Sequence, residues 1–104
     1  MHQTLDAVTL RSMLDRGDPP VVVDVRTAEE FSHGAIAGAR HIELGTLPAR
    51  IGELDPQAPI VLVCHSGMRS AQACTYLAQR GFALTYNLGG GIVGWEKAGL
   101  PLTP

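Results

Sequence analysis

Only two cysteines, Cys64 and Cys74, occur in the 104 residues, too few for a disulfide framework. Aromatic side chains make up 5%, which argues against an aromatic stacking platform for bases. Neither sign of charge dominates: 8 Lys and Arg stand against 10 Asp and Glu, a net charge of −2, so the basic footprint of a nucleic-acid binder is missing. Long hydrophobic runs are missing too. The longest, Val21 to Val23 and Ile60 to Cys64, fall far short of the roughly 20 residues that span a bilayer. The opening MHQTLDAVTL has no basic start followed by an apolar block, so no signal peptide is visible. The cysteines and the scattered His2, His33, His41 and His65 show no zinc-ligand spacing. The expectation is a soluble, cytoplasmic chain with no metal, no cofactor, and neither nucleic acid nor membrane as partner.

What is there suits one compact domain over residues 1–104. Hydrophobic residues make up 45% and charged residues 17%, enough apolar material for a real core. Short apolar runs alternate with helical patterns. Thr9 reads as the cap of a helix carrying Leu10, Met13 and Leu14 and ending at Gly17. Val21 to Val23 reads as a strand buried on both faces. Thr27 and Glu30 have capping-box spacing and open a short helix. Ala39 to Ile42 is a strand candidate. Thr46 begins a helix through Leu47, Ile51 and Leu54, with Pro48 in its first turn. Ile60 to Val63 is a second apolar strand, Met68 to Arg80 a helix stopped by Gly81, Ala83 to Tyr86 a further strand, and Ile92 to Ala98 a last helix. Such alternation means an α/β fold with a mainly parallel sheet. Sites in these sheets form beyond the carboxyl ends of the strands. Asp24 to Arg26, Cys64 to Ser70 and Leu88 to Gly91 all fall there.

The sharpest chemistry lies in Cys64-His65-Ser66-Gly67-Met68-Arg69-Ser70. A cysteine ends a buried strand, a short stretch follows, and a helix begins. If the stretch curls, its backbone N–H groups and the helix N-terminus form an anion cradle with sulfur at its floor. Gly67 permits a backbone angle that other residues resist, and Arg69 adds a permanent cation. A free thiol of pKa about 8.5 is only about 3% ionised at neutral pH, and lowering it by two units takes about 2.7 kcal/mol. A helix end supplies about 0.3 to 1 kcal/mol at exposed sites, about 2 when partly buried. The loop amides and Arg69 are expected to provide the remainder. Without Gly67, Arg69 and Ser70 at these offsets, Cys64 would read as a small buried hydrophobe.

Together these residues resemble a single-domain rhodanese, a thiosulfate sulfurtransferase-like protein. The resemblance covers nearly the whole chain. It runs through Asp24-Val25-Arg26, Glu30-Phe31, Gly38-Ala39 with His41-Ile42, Cys64 to Ser70, Leu88-Gly89-Gly90, and Trp95 before Gly99-Leu100-Pro101. One departure is Gly34-Ala35-Ile36, where the family often has Gly-His-Ile. The resemblance implies a mainly parallel five-stranded sheet flanked by helices. It also implies sulfane-sulfur transfer from thiosulfate or a related donor, through a Cys64 persulfide, to cyanide or a thiol. Catalysis falls to Cys64 and Arg69, and substrate binding to His65, Ser66, Gly67, Met68, Arg69 and Ser70. Related loops favouring mercaptopyruvate lack a basic residue where Arg69 stands, which tilts the choice to thiosulfate.

Cysteine phosphatases share the architecture but place five residues between Cys and Arg. Four intervene here, His65 to Met68, and the tighter loop suits a sulfur atom better than a phosphoryl group. Two further functions fit the same residues: a regulatory, non-catalytic binding module, and a relay that hands sulfur to a partner protein. Outside the cysteine and arginine, His65 reads mainly as a solvent-facing loop side chain. Ser70 reads equally as a sulfur ligand and as a helix-start residue. Asp24 and Arg26 read as loop scaffold, and Glu30 is accounted for by its capping box. Gly89 to Gly91 form a tight turn and Trp95 a core anchor. Cys74 packs within its helix, which carries it away from Cys64 at about 1.5 Å per residue.

Overall fold

A computed structural model describes residues 2–104. Five strands form a parallel sheet in the order β1-β5-β4-β2-β3: β1 Gln3–Leu5, β2 Val21–Asp24, β3 Arg40–His41, β4 Ile60–Val63 and β5 Thr85–Leu88. The helices are α1 Ala7–Leu14, α2 Ala28–Ser32, α3 Leu47–Arg50, α4 Met68–Gln79 and α5 Gly91–Lys97. An antiparallel bridge between Ala35 and Thr103 ties the tail to the body.

The apolar runs fill both faces by simple alternation. Val23, Ile60, Leu62 and Cys64 pack with Leu47, Ala73, Cys74 and Leu77 on one face. Val22, Val61 and Val63 pack with Ala7, Leu10, Ile36, Ile92 and Trp95 on the other. Connections that step toward β3 cross the face of Leu10 and Ile36. Those that step back cross the face of Leu47 and Leu77, as crossovers of a single hand require. The chain therefore leaves β2 in one direction and β4 in the other. Between the carboxyl ends of these neighbours lies the switch point where α/β sheets place their sites. Asp24 is level with Val63 there, and the Val25 N–H donates to the Val63 carbonyl at 2.8 Å.

Four local expectations change. The cap of α1 is Asp6, whose side chain accepts the Thr9 N–H at 2.8 Å, so Thr9 lies inside the helix. The segment after Thr46 is no continuous helix. A 3-10 turn at Leu44–Thr46, the four residues of α3 and a second 3-10 turn at Ile51–Glu53 follow one another, with Gly45, Pro48 and Gly52 interrupting a longer α-helix. The last strand sits two residues later than expected, at Thr85–Leu88, because Ala83 and Leu84 are exposed and outside the ladder. Strand β1 has no counterpart among the strand candidates. The capping box of α2 is present in both directions between Thr27 and Glu30.

Candidate active site

Alternation along β4 turns Cys64 to the same face as Ile60 and Leu62, the face on which α4 lies. Cys64 is 1% exposed and stands at the border between the apolar core and the loop that leads into α4. Its Sγ accepts the Gly67 N–H at 3.0 Å, and the Ser70 Oγ lies 3.3 Å away. Gly67 makes the curl possible. Its φ of 104° lies in the left-handed region, and it precedes the first residue of α4. Burial pushes the Cys64 thiol up. The Ser70 hydroxyl and the backbone N–H groups of Ser70, Gly67 and Ser66 outweigh that and hold the thiol below its ordinary value.

The loop is braced from behind. The first amides of α5 reach it, Ile92 N–H donating to the Cys64 carbonyl at 2.9 Å and Val93 N–H to the His65 carbonyl at 3.1 Å. Gly91 allows this approach, since a side chain there would run into the Cys64 and His65 carbonyl oxygens. Asn87, at the end of β5, donates its Nδ2–H to the Gly67 carbonyl at 3.0 Å and accepts the Ser70 hydroxyl on Oδ1.

The remaining loop residues separate by exposure. His65, Ser66 and Met68 face solvent, Met68 at 76% exposure, whereas Gly67 and Ser70 are buried. The Arg69 guanidinium does not stand free. Its Nη1 and Nη2 donate to Glu30 Oε1 and Oε2 at 2.7 and 2.8 Å. The hydrogen bonds from Arg69 hold the Glu30 carboxyl down at about 2, and Glu30 in turn raises Arg69. Glu30 thus joins the capping box of α2 to the loop, a link that Thr27 alone does not disclose. Asn87 is not among the residues that the sequence points to, because the expected strand ends before it. The one available signal is an amide side chain beside Leu88 on a strand that is otherwise largely buried.

Asp24 and Arg26 form a buried ion pair at 2.8 Å. Arg26 also donates to the Gly34 carbonyl, and the Arg26 carbonyl contacts His41 Nε2 at 2.7 Å. These bonds close the corner after β2. Cys74 is fully buried in α4, and desolvation pushes its thiol up to about 12. A cavity of about 500 Å³ lies elsewhere, between Pro20, Val22, Ile36, Trp95 and Pro101, and neither cysteine lines it.

A Rhodanese-like domain model matches residues 6–98. The chain belongs to the rhodanese-like family. It is 36% identical over 102 residues to a sulfurtransferase of Allochromatium vinosum, covering 98% of this chain and 95% of that protein. It is 40% identical over 76 residues to the thiosulfate sulfurtransferase GlpE of Pseudomonas aeruginosa, covering 73% and 69%. The crystal structure of a rhodanese-like domain protein from Staphylococcus aureus superposes with a TM-score of 0.88 at 30% identity, covering 98% of this chain and 99% of that one. Among the described residues no helix is long and apolar enough to cross a membrane.

Proposed function

We propose that this rhodanese-like chain is a sulfurtransferase that takes the outer sulfur of thiosulfate onto Cys64 and passes it to cyanide or a thiol. The observation that carries the reading is the set of donors on Cys64 Sγ: the Gly67 amide at 3.0 Å, and the Ser70 hydroxyl at 3.3 Å. These groups favour the charged sulfur over the neutral one, and a thiolate is the nucleophile. The names of relatives, a sulfurtransferase and a thiosulfate sulfurtransferase, support the same class.

The first step forms a bond between Cys64 sulfur and the outer sulfur of thiosulfate. The sulfur–sulfur bond of thiosulfate breaks, and its electron pair leaves on sulfite. The enzyme is left as a Cys64 persulfide anion, held by the same loop amides. In the second step cyanide attacks the outer sulfur, thiocyanate departs, and the thiolate returns with its electron pair. The difficult transfer is split into two displacements at one residue.

Arg69 binds the sulfonate end of the donor. Its pairing with Glu30 engages one N–H on each terminal nitrogen, and a guanidinium has five. The remaining three stay available, on a group whose direction Glu30 already fixes. His65, Ser66 and Met68 form the exposed rim that the donor meets.

The test is thiocyanate formation from thiosulfate and cyanide. The wild-type protein produces it catalytically and Cys64→Ser does not. Equal rates in the two proteins would refute the assignment.

A further inference from the structure

Asn87, next to last in β5, turns its side chain to the 64–70 loop and is 7% exposed. Its amide is engaged at both ends. Nδ2–H donates to the Gly67 carbonyl at 3.0 Å, and Oδ1 accepts the Ser70 hydroxyl. The first contact decides which way the amide faces, because a carbonyl oxygen accepts and never donates. The amide oxygen is then necessarily the atom that meets Ser70. The two residues it grips are the same two that reach the sulfur, Gly67 through its N–H and Ser70 through its hydroxyl. Gly67 also has no side chain of its own to hold its peptide in place, and its φ of 104° is one that glycine leaves freely.

We propose that Asn87 is a positioning residue of the sulfur-transfer site, its side-chain amide anchoring the backbone of Gly67 by the carbonyl and the Ser70 side chain by the hydroxyl, beside Cys64 Sγ. This rests on Cys64 being the reacting group, and not on the identity of its donor. The Ser70 hydroxyl has one proton to share between Asn87 and the sulfur. With the sulfur protonated, S–H donates to the Ser70 oxygen and the hydroxyl proton stays on Asn87. With the sulfur charged, the hydroxyl proton turns to Sγ and leaves Asn87 Oδ1, so Asn87 favours the anion through its grip on the Gly67 carbonyl, which steadies the backbone whose N–H meets the sulfur. Removing the amide side chain frees the Gly67 backbone to move off the sulfur.

The experiment measures alkylation of Cys64 by iodoacetamide as a function of pH, in a Cys74→Ala background so that one thiol reports. Asn87→Leu keeps the shape of the side chain and removes both contacts. Its midpoint is expected to move up by about one pH unit, so the rate at pH well below the midpoint falls about tenfold while the plateau at high pH matches the parent. Asn87→Ser, a smaller change, shifts the same way and serves if the leucine variant does not fold by circular dichroism. A folded variant with an unmoved or lowered midpoint overturns the proposal. So does a loss of rate that high pH does not restore. Alkylation needs no sulfur donor, so a wild-type protein that ignores thiosulfate would sink the assigned reaction and leave this assignment intact.

Discussion

Replacing Ser70 by alanine removes one oxygen from the edge of the sulfur. Ser70 is fully buried, and its Oγ lies 3.3 Å from Cys64 Sγ. A hydrogen bond to a charged group is worth about 1.5 to 3 kcal/mol. The hydroxyl shares its proton with Asn87, so the lower end applies, and at about 1.36 kcal/mol per unit the thiol should rise by roughly one unit. The loop amides of Gly67, Ser66 and Ser70 remain, so the thiol stays ionisable. Stability should fall separately, by about 1 to 3 kcal/mol, because Asn87 Oδ1 loses its donor in a buried site. Alkylation rate against pH reads the first effect and a urea melt reads the second. The Ser70→Ala and Asn87→Leu shifts should not simply add, because Asn87 and the sulfur share the one Ser70 hydroxyl proton. A folded Ser70→Ala protein with an unmoved thiol midpoint would refute the claim that this hydroxyl stabilises the sulfur anion.

Arg69→Ala should lower kcat/KM for thiosulfate about 10- to 100-fold, the loss expected for a charge-assisted contact. Stability should change by no more than about 1 kcal/mol, since the Glu30 pair is about one third exposed. An unchanged rate would deny Arg69 its place on the donor. Glu30 is held at about 2 in the folded chain against an ordinary 4.5, so its contribution is present above 4.5 and is lost as pH falls toward 2. Glu30→Gln should therefore flatten the acid limb of stability against pH, and an identical acid limb would contradict the pairing. The Cys74 thiol, raised to about 12 by burial, should resist alkylation at neutral pH until the chain unfolds. Labelling of Cys74 as fast as Cys64 in folded protein would contradict that burial.

The parts of the fold that are readable in the sequence are those decided locally. The capping box of Thr27 and Glu30 satisfies its own helix end. The runs at Val21 and Ile60 are apolar at every position, which marks strands covered on both faces. Helix α4 starts at a glycine and ends before Gly81 by rules that act within a turn. The rest depends on partners far along the chain. Gln3–Leu5 is mostly exposed and lacks an apolar run, and becomes a strand by pairing with β5. Ala83 and Leu84 look like strand residues but lie outside β5, which instead takes in Asn87. Glu30 and Arg69 are 39 residues apart, and either has a complete local explanation without the other. The chemistry of Cys64 is legible from the residues at fixed offsets around it. The depth of its burial and the bracing by Asn87 and Gly91 are not, because both come from β5 and α5 closing over the loop.

The most direct measurement is the mass of the intact protein after incubation with thiosulfate. One added sulfur atom is expected, borne by Cys64, absent in Cys64→Ser and discharged by cyanide. Wild-type protein whose mass does not change, or an added sulfur that survives Cys64→Ser, would contradict the Cys64 persulfide.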